Sequence, residues 1–283
     1  MNNILYLRLI GGLGNQLFQL QYAKKYLINY PAELIIEDSH LAASKKDHEI
    51  ISVESFIDSH NIVRFGWFEL KIKRSFERLF NIMRLPVPNY FNPIYIFENS
   101  KLKINGKKSL VIDGFWQNKL FLNDDFIEEI RNKINIEKFS RNLINNNTNL
   151  VCVHIRRGDY LTNRRFFVKQ QLVLPIEYYQ KAFLHFVEQD SSCKFHIYTD
   201  DENWAKYAFT DQPNADIIKT KNMNALTILL KMSSYSKYVI ANSTLSWWAA
   251  VLSSVQDKKV VLPKIWGKNQ SSEHLRLDGW NAL

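Results

Sequence analysis

From Val151 to Leu262, short apolar runs alternate with helix-length stretches, and no other feature constrains the fold of this 283-residue chain as strongly. Val151 to Ile155, Cys193 to Thr199, Asp216 to Ile218, Tyr238 to Ala241 and Lys259 to Leu262 read as strands. Ile176 to Gln189, Trp204 to Phe209, Ala225 to Ser233 and Thr244 to Ser253 read as the helices between them. Parallel neighbours need a crossover between them, so this alternation specifies a parallel sheet with helices on both faces. The first half carries a looser version, with strands at Ile4 to Ile10, Glu33 to Glu37 and Ser109 to Phe115 and helices at Asn15 to Leu27 and Asp124 to Ile134. Residues 40 to 109 read as irregular with helix-like pieces, with Pro86, Pro88 and Pro93 and several basic clusters. The polar run SRNLINNNTN, residues 140 to 149, is the best linker. Two domains are therefore expected, over 1–145 and 146–283, as the length also suggests.

Composition narrows the function only a little. The formal net charge of +9 suits an anionic ligand, nucleic acid or an acidic membrane surface and does not choose among them. The lysines are dispersed and no RNA-binding signature is present, which argues against a nucleic-acid partner. Cys152 and Cys193 are expected to be reduced, as in a cytoplasmic protein. The start, MNNILYLRLIGGLGNQ, has no charged region ahead of a long apolar core, and no run approaches 18 apolar residues.

The chemistry gathers at strand ends, where open α/β sheets bind their ligands. After the strand at Val151 comes HIRRGDY, with His154, Arg156, Arg157 and Asp159. Adjacent residues on an extended segment face opposite ways, so one arginine suits a phosphate and the other a nearby carboxylate. YTDD places Asp200 and Asp201 at the next strand end, where a carboxylate can hold a guanine edge or ribose hydroxyls, or cap the following helix. ANSTLSWW brings Asn242, Ser243, Thr244 and Ser246 to a helix start, more polar groups than one cap requires and a good cradle for an anion. In the first half, GGLGNQ lacks the third glycine of a dinucleotide fingerprint, because Leu17 stands in its place. What remains is a glycine turn through Gly12 and Gly14 and a helix start whose Asn15 and Gln16 amides can donate to a sugar or phosphate. There is no GxSxG, GKS/T or CxxC, and no His/Asp cluster suited to a metal.

Taken in order, GGLGNQLFQ, HIRRGDY, YTDD and NSTLSWWAA resemble the bacterial α-1,2-fucosyltransferases of glycosyltransferase family 11. IDGFWQNKLF, PIEYYQKA and VVLPKIWG extend the resemblance over nearly all of the chain outside residues 40 to 108. It implies an α/β, GT-B-like fold of two Rossmann-like domains facing across a cleft, the C-terminal one binding the donor substrate GDP-fucose. It also implies inverting transfer of fucose to a galactose-terminated glycan, in α-1,2 linkage, with no metal and no cofactor. Arg156 would neutralise the departing diphosphate, with help from Ser243, Thr244, Ser246 and the helix N–H groups. His154 and Asp200 or Asp201 would hold guanine and ribose, while Arg157 and Asp159 order the loop. Asp159 is also a candidate general base, as are Glu37 and Asp38. The family further implies surface-polysaccharide synthesis such as that of O-antigen, and the excess positive charge suits a peripheral contact with the inner face of a membrane. A related enzyme using another sugar or linkage, or a non-catalytic basic module, are the alternatives.

Overall fold

The computed structural model describes residues 3–37, 62–63, 94–97, 110–136, 149–162 and 172–283, with backbone only at 62–63 and 94–97. Contacts divide the chain into two compact units, Met1–Gln117 with Phe121–Phe126, and Asn118–Leu120 with Ile127–Leu283. The Asn-rich run over 140–148 lies outside the described residues.

The first unit is built on a five-stranded parallel sheet: β1 (Ile4–Arg8), β2 (Glu33–Glu37), β3 (Ile62–Val63), β4 (Ile94–Phe97) and β5 (Leu110–Asp113), in the order β3-β2-β1-β5-β4. The strands β3 and β4 correct the reading of residues 40 to 109 as irregular with helix-like pieces, which named no strand there. Two and four residues are too few for a periodic signal, and only pairing with β2 and β5 makes them strands. Helix α1 (Leu13–Asn29) starts two residues earlier than its expected position, because the chain needs only Gly11, with φ near +78°, and the extended Gly12 to turn out of β1. Its Leu13, Leu17, Phe18 and Leu20 are buried, as are Leu5 and Leu7 of β1.

Helix α2 (Asp124–Lys133) has two acidic residues in its first turn and basic residues in its last, matching the helix dipole. In the second unit Arg131 donates to the carbonyls of Val251, Leu252 and Ser253. This contact explains why the second unit begins near Ile127, ahead of the expected boundary at 145/146.

The second unit holds a six-stranded parallel sheet. Its elements are β6 (Leu150–Ile155), α3 (Gly158–Thr162), α4 (Ile176–Gln189), β7 (Lys194–Thr199), α5 (Glu202–Ala208), β8 (Ala215–Ile218), α6 (Ala225–Met232), β9 (Lys237–Val239), α7 (Thr244–Leu252) and β10 (Lys259–Leu262). A small β11–β12 ribbon (Ile265–Gly267 and Gln270–Ser271) precedes β13 (Asn281–Ala282) at the sheet edge. The sheet order β13-β10-β9-β6-β7-β8, counted from β6, is the doubly wound Rossmann order 3-2-1-4-5-6.

All six residues of β6 are buried, as a central parallel strand covered on both faces requires. Val151, Val153 and Ile155 pack on one face with Phe195 and Ile197 of β7, under Tyr179, Phe183 and Phe186 of α4. Alternation sends Cys152 and His154 to the other face. Trp247 and Trp248 of α7 are fully buried, and the Trp247 indole donates to the Leu275 carbonyl. Both cysteines are free thiols. Among the described residues no helix is long and apolar enough to cross a membrane.

Candidate nucleotide-sugar site

Strand order reverses between β6 and β9, so the loops after these strands flank the topological switch point of the second sheet. HIRRGDY leaves β6 and ANSTLSWW leaves β9. Strand β7 is paired to β6 with His154 opposite Tyr198 and Ile155 opposite Thr199. Arg156 and Asp200, one residue further on, therefore emerge side by side.

Their side chains make a charge network. The Arg156 guanidinium lies 2.9 Å from Asp200 and 2.8 Å from Asp159. Burial opposes the Arg156 charge, but Asp200 and then Asp159 outweigh it, and the guanidinium is held more firmly protonated than usual. Arg157 turns away, as alternation demands: its Nε donates to Asp201 at 3.2 Å, its guanidinium stacks 3.9 Å over the Trp204 ring, and its backbone N–H donates to Asp200. Gly158 lets this happen. A Cβ there would sit 3.0 Å from the Asp200 carboxylate. Asp201 also caps α5 by accepting from the Trp204 N–H, so the capping role weighed for this pair falls to Asp201.

His154 is 6% exposed, and its Nδ1 has no hydrogen-bond partner among the described residues. Burial first, and the neighbouring Arg156 charge second, lower its pKa to about 4 against the opposing pull of Asp200. The imidazole is neutral at physiological pH and can offer a lone pair or an N–H. His154, Arg156, Asp200 and Asp201 line one cavity of about 560 Å3 in the second unit, together with Thr220, Lys221 and the apolar Ile228 and Leu245.

The start of α7 corrects part of the expected cradle. Ser246 donates its hydroxyl to the Ser243 carbonyl, and the Asn242 amide donates to the Trp266 carbonyl. Both side chains are buried and serve the turn. Ser243 is the N-cap residue yet makes no side-chain capping bond, which leaves first-turn N–H groups without that cap. Tyr160 ties the two loops by donating to the Asn242 carbonyl.

In the first unit the polar groups are also largely committed. Gln16, expected to face a ligand, is 2% exposed and donates to the Gly11 carbonyl. Gly12 and Gly14 form the turn and the first buried helical turn. Asn15 accepts from Gln117. Gln19, not singled out from sequence, bonds both backbone groups of Ile10 and the Gly114 carbonyl. Arg8 bridges Glu37 at 2.7 Å and Asp113 at 2.8 Å across the ends of β2, β1 and β5. Glu37 is thus a buried ion-pair partner; Asp38 lies outside the described residues. Among the described residues no group of three or more His, Cys, Asp or Glu could hold a metal ion.

The model of the family described as glycosyl transferase family 11 matches residues 90–283. This chain belongs to glycosyl transferase family 11. It is a glycosyltransferase. It is 29% identical to the O-antigen biosynthesis glycosyltransferase WbnK of Escherichia coli, over 99% of this chain and all of that protein. It is 30% identical to an α-1,2-colitosyltransferase of Escherichia coli, covering 93% of this chain and 92% of the relative. Among solved structures, NodZ α-1,6-fucosyltransferase from Bradyrhizobium, co-crystallised with GDP, superposes with a TM-score of 0.51 at 13% identity, covering 89% of this chain and 93% of NodZ. That likeness carries the fold alone: the family 11 chain is α/β and GT-B-like, with parallel sheets.

Sequence reasoning missed Glu202, Thr220 and Lys221 as cavity residues. Trp204 carried a signal, three residues beyond a capping aspartate. Lys221 carried none, because only the adjacency of β7 and β8 brings its turn to the cavity.

Proposed function

We propose that this enzyme transfers L-fucose from GDP-fucose to a hydroxyl of a galactose-terminated glycan, in α-1,2 linkage and with inversion, during O-antigen or related surface-polysaccharide synthesis. One observation carries the reading: a guanidinium clamped between two carboxylates lines a cavity at the switch point of a Rossmann sheet, beside a helix start with no side-chain cap. Membership of family 11, the α-1,2-colitosyltransferase relative and the O-antigen relative support it.

In the mechanism, the acceptor oxygen attacks the anomeric carbon as the bond from that carbon to the diphosphate oxygen breaks. The electron pair leaves with the diphosphate, and the acceptor hydroxyl proton passes to solvent water as the new bond forms. The chief demand is stabilising charge that grows on the leaving group. Arg156 faces it with fixed geometry because Asp159 and Asp200 hold the guanidinium, and the α7 N–H groups add partial positive charge. His154, neutral, supplies a hydrogen-bonding group for the nucleoside. The chemistry needs no metal when arginine and helix N–H groups meet that charge. The reaction takes place at the cytoplasmic side, with the basic surface of the chain, net +9, against an anionic membrane.

The 30% identity to a colitosyltransferase favours one second reading, in which the transferred sugar is colitose. Incubation with GDP-fucose or GDP-colitose and a panel of β-galactosides, followed by NMR of the product, tests both. An α-1,2 fucosyl-galactose product supports the first reading. Transfer from GDP-colitose alone moves the assignment to the second, and transfer from neither removes both.

A further inference from the structure

We propose that Lys221 and Glu202 select guanine as the base of the donor nucleotide. The proposal rests on the nucleotide-sugar reading above and names which residues make that choice.

The cavity is lined by five charged side chains. Three are committed: Arg156 to Asp159 and Asp200, Asp200 to Arg156 and the Arg157 N–H, and Asp201 to Arg157 and the α5 cap. The Glu202 carboxylate and the Lys221 ammonium have no ion-pair partner among the described residues and do not pair with each other. A cavity that keeps an unpaired anion and an unpaired cation apart suits a ligand that presents donors and acceptors on one edge.

Both charges sit on fixed backbone. Thr220 donates its hydroxyl to the Thr199 carbonyl at 2.9 Å, the Met223 N–H bonds the Thr220 carbonyl at 2.8 Å, and Asn224 caps α6 just beyond. Glu202 follows Asp201, itself tied to Thr199 and Arg157. The chain ends of β7 and β8 are thus joined, with Glu202 at the first position of α5 after β7 and Lys221 in the turn after β8.

Position along the sheet selects the part of the ligand. Parallel strands lie about 5 Å apart, so the ends of β7 and β8 lie about 5 and 10 Å from that of β6. A diphosphate at Arg156, beyond β6, puts the base of its nucleoside over those ends. Ile228 and Leu245 offer apolar surface to the faces of a planar ring.

Guanine offers acceptors at O6 and N7 and donors at N1 and the 2-amino group. Lysine only donates and carboxylate only accepts, so O6 and N7 match Lys221 while N1–H and the amino group match Glu202. Adenine reverses the pattern at position 6, where its amino group would meet the ammonium.

Calorimetric titration of the whole chain with GDP, IDP and ADP at one salt concentration tests this, in wild type, Lys221→Met and Glu202→Ala. Wild type is expected to bind GDP at least ~30-fold more tightly than ADP. Lys221→Met weakens GDP about 10-fold and does not weaken ADP. Glu202→Ala weakens GDP until it approaches IDP, which lacks the 2-amino group. Equal wild-type affinity for GDP and ADP, or variants that keep the wild-type ratio, overturns the proposal alone. A wild-type chain that binds none of the three overturns the nucleotide-sugar reading and the proposal with it.

Discussion

Arg156 and Asp200 leave neighbouring parallel strands at the same level and meet at 2.9 Å, so the register of β6 on β7 sets the geometry of the charge at the switch point. Arg156→Ala is expected to lower turnover by roughly 10²-fold or more, the scale for removing one group that stabilises charge in the transition state. Asp200→Asn keeps the shape and weakens the clamp, so its loss is smaller. Steady-state rates with a saturating donor check both. An Arg156→Ala enzyme within a fewfold of wild type would remove the arginine from the mechanism.

Gly158→Ala tests the packing under that pair. A methyl group 3.0 Å from the Asp200 carboxylate pushes it from Arg156 and from the Arg157 N–H. The carboxylate must give by a few tenths of an ångström, so activity should fall by about 3-fold or more, less than the loss a full ångström brings at a reacting site, while the thermal midpoint moves little. A fully active variant would show that Asp200 has room to shift.

The His154 pKa, held near 4 by burial and by Arg156, lies below that of an exposed imidazole at about 6.5. Between these values the unfolded chain binds the proton and the folded chain does not. Folding stability from this group is therefore whole above about pH 6.5, declines as pH falls and is fully lost below about 4. Urea midpoints measured from pH 7 to pH 4 should fall more steeply in wild type than in His154→Asn. Parallel curves would mean that the imidazole titrates normally.

Chelation gives an independent check on the mechanism. EDTA should leave transfer nearly intact, since arginine and helix N–H groups carry the diphosphate charge in the proposed step. Loss of activity with EDTA and its return with one added divalent ion would require a different leaving-group mechanism.

Some side-chain roles could not be read from residue type. Asn242, Ser243, Thr244 and Ser246 form an evident polar cluster in sequence, yet the Asn242 amide and the Ser246 hydroxyl bond backbone carbonyls. Gln16 turns inward to the Gly11 carbonyl. Short polar side chains at a turn satisfy the nearest backbone group or face a ligand, and three-dimensional placement decides which. Arg157 was easier, because alternation along an extended segment points it away from Arg156. Its carboxylate, Asp201, is the one that also caps α5.

Local order along the chain determined the alternating strands and helices, the parallel sheets and the motif loops at strand ends, because periodicity and turn chemistry act between residues close in sequence. Tertiary structure alone decided that β3 and β4 exist, that β6 lies between β7 and β9, and that Glu202 and Lys221 line the same cavity as Arg156. Those outcomes depend on hydrogen bonds and packing between segments tens of residues apart, and no local pattern encodes which strand will stand beside which.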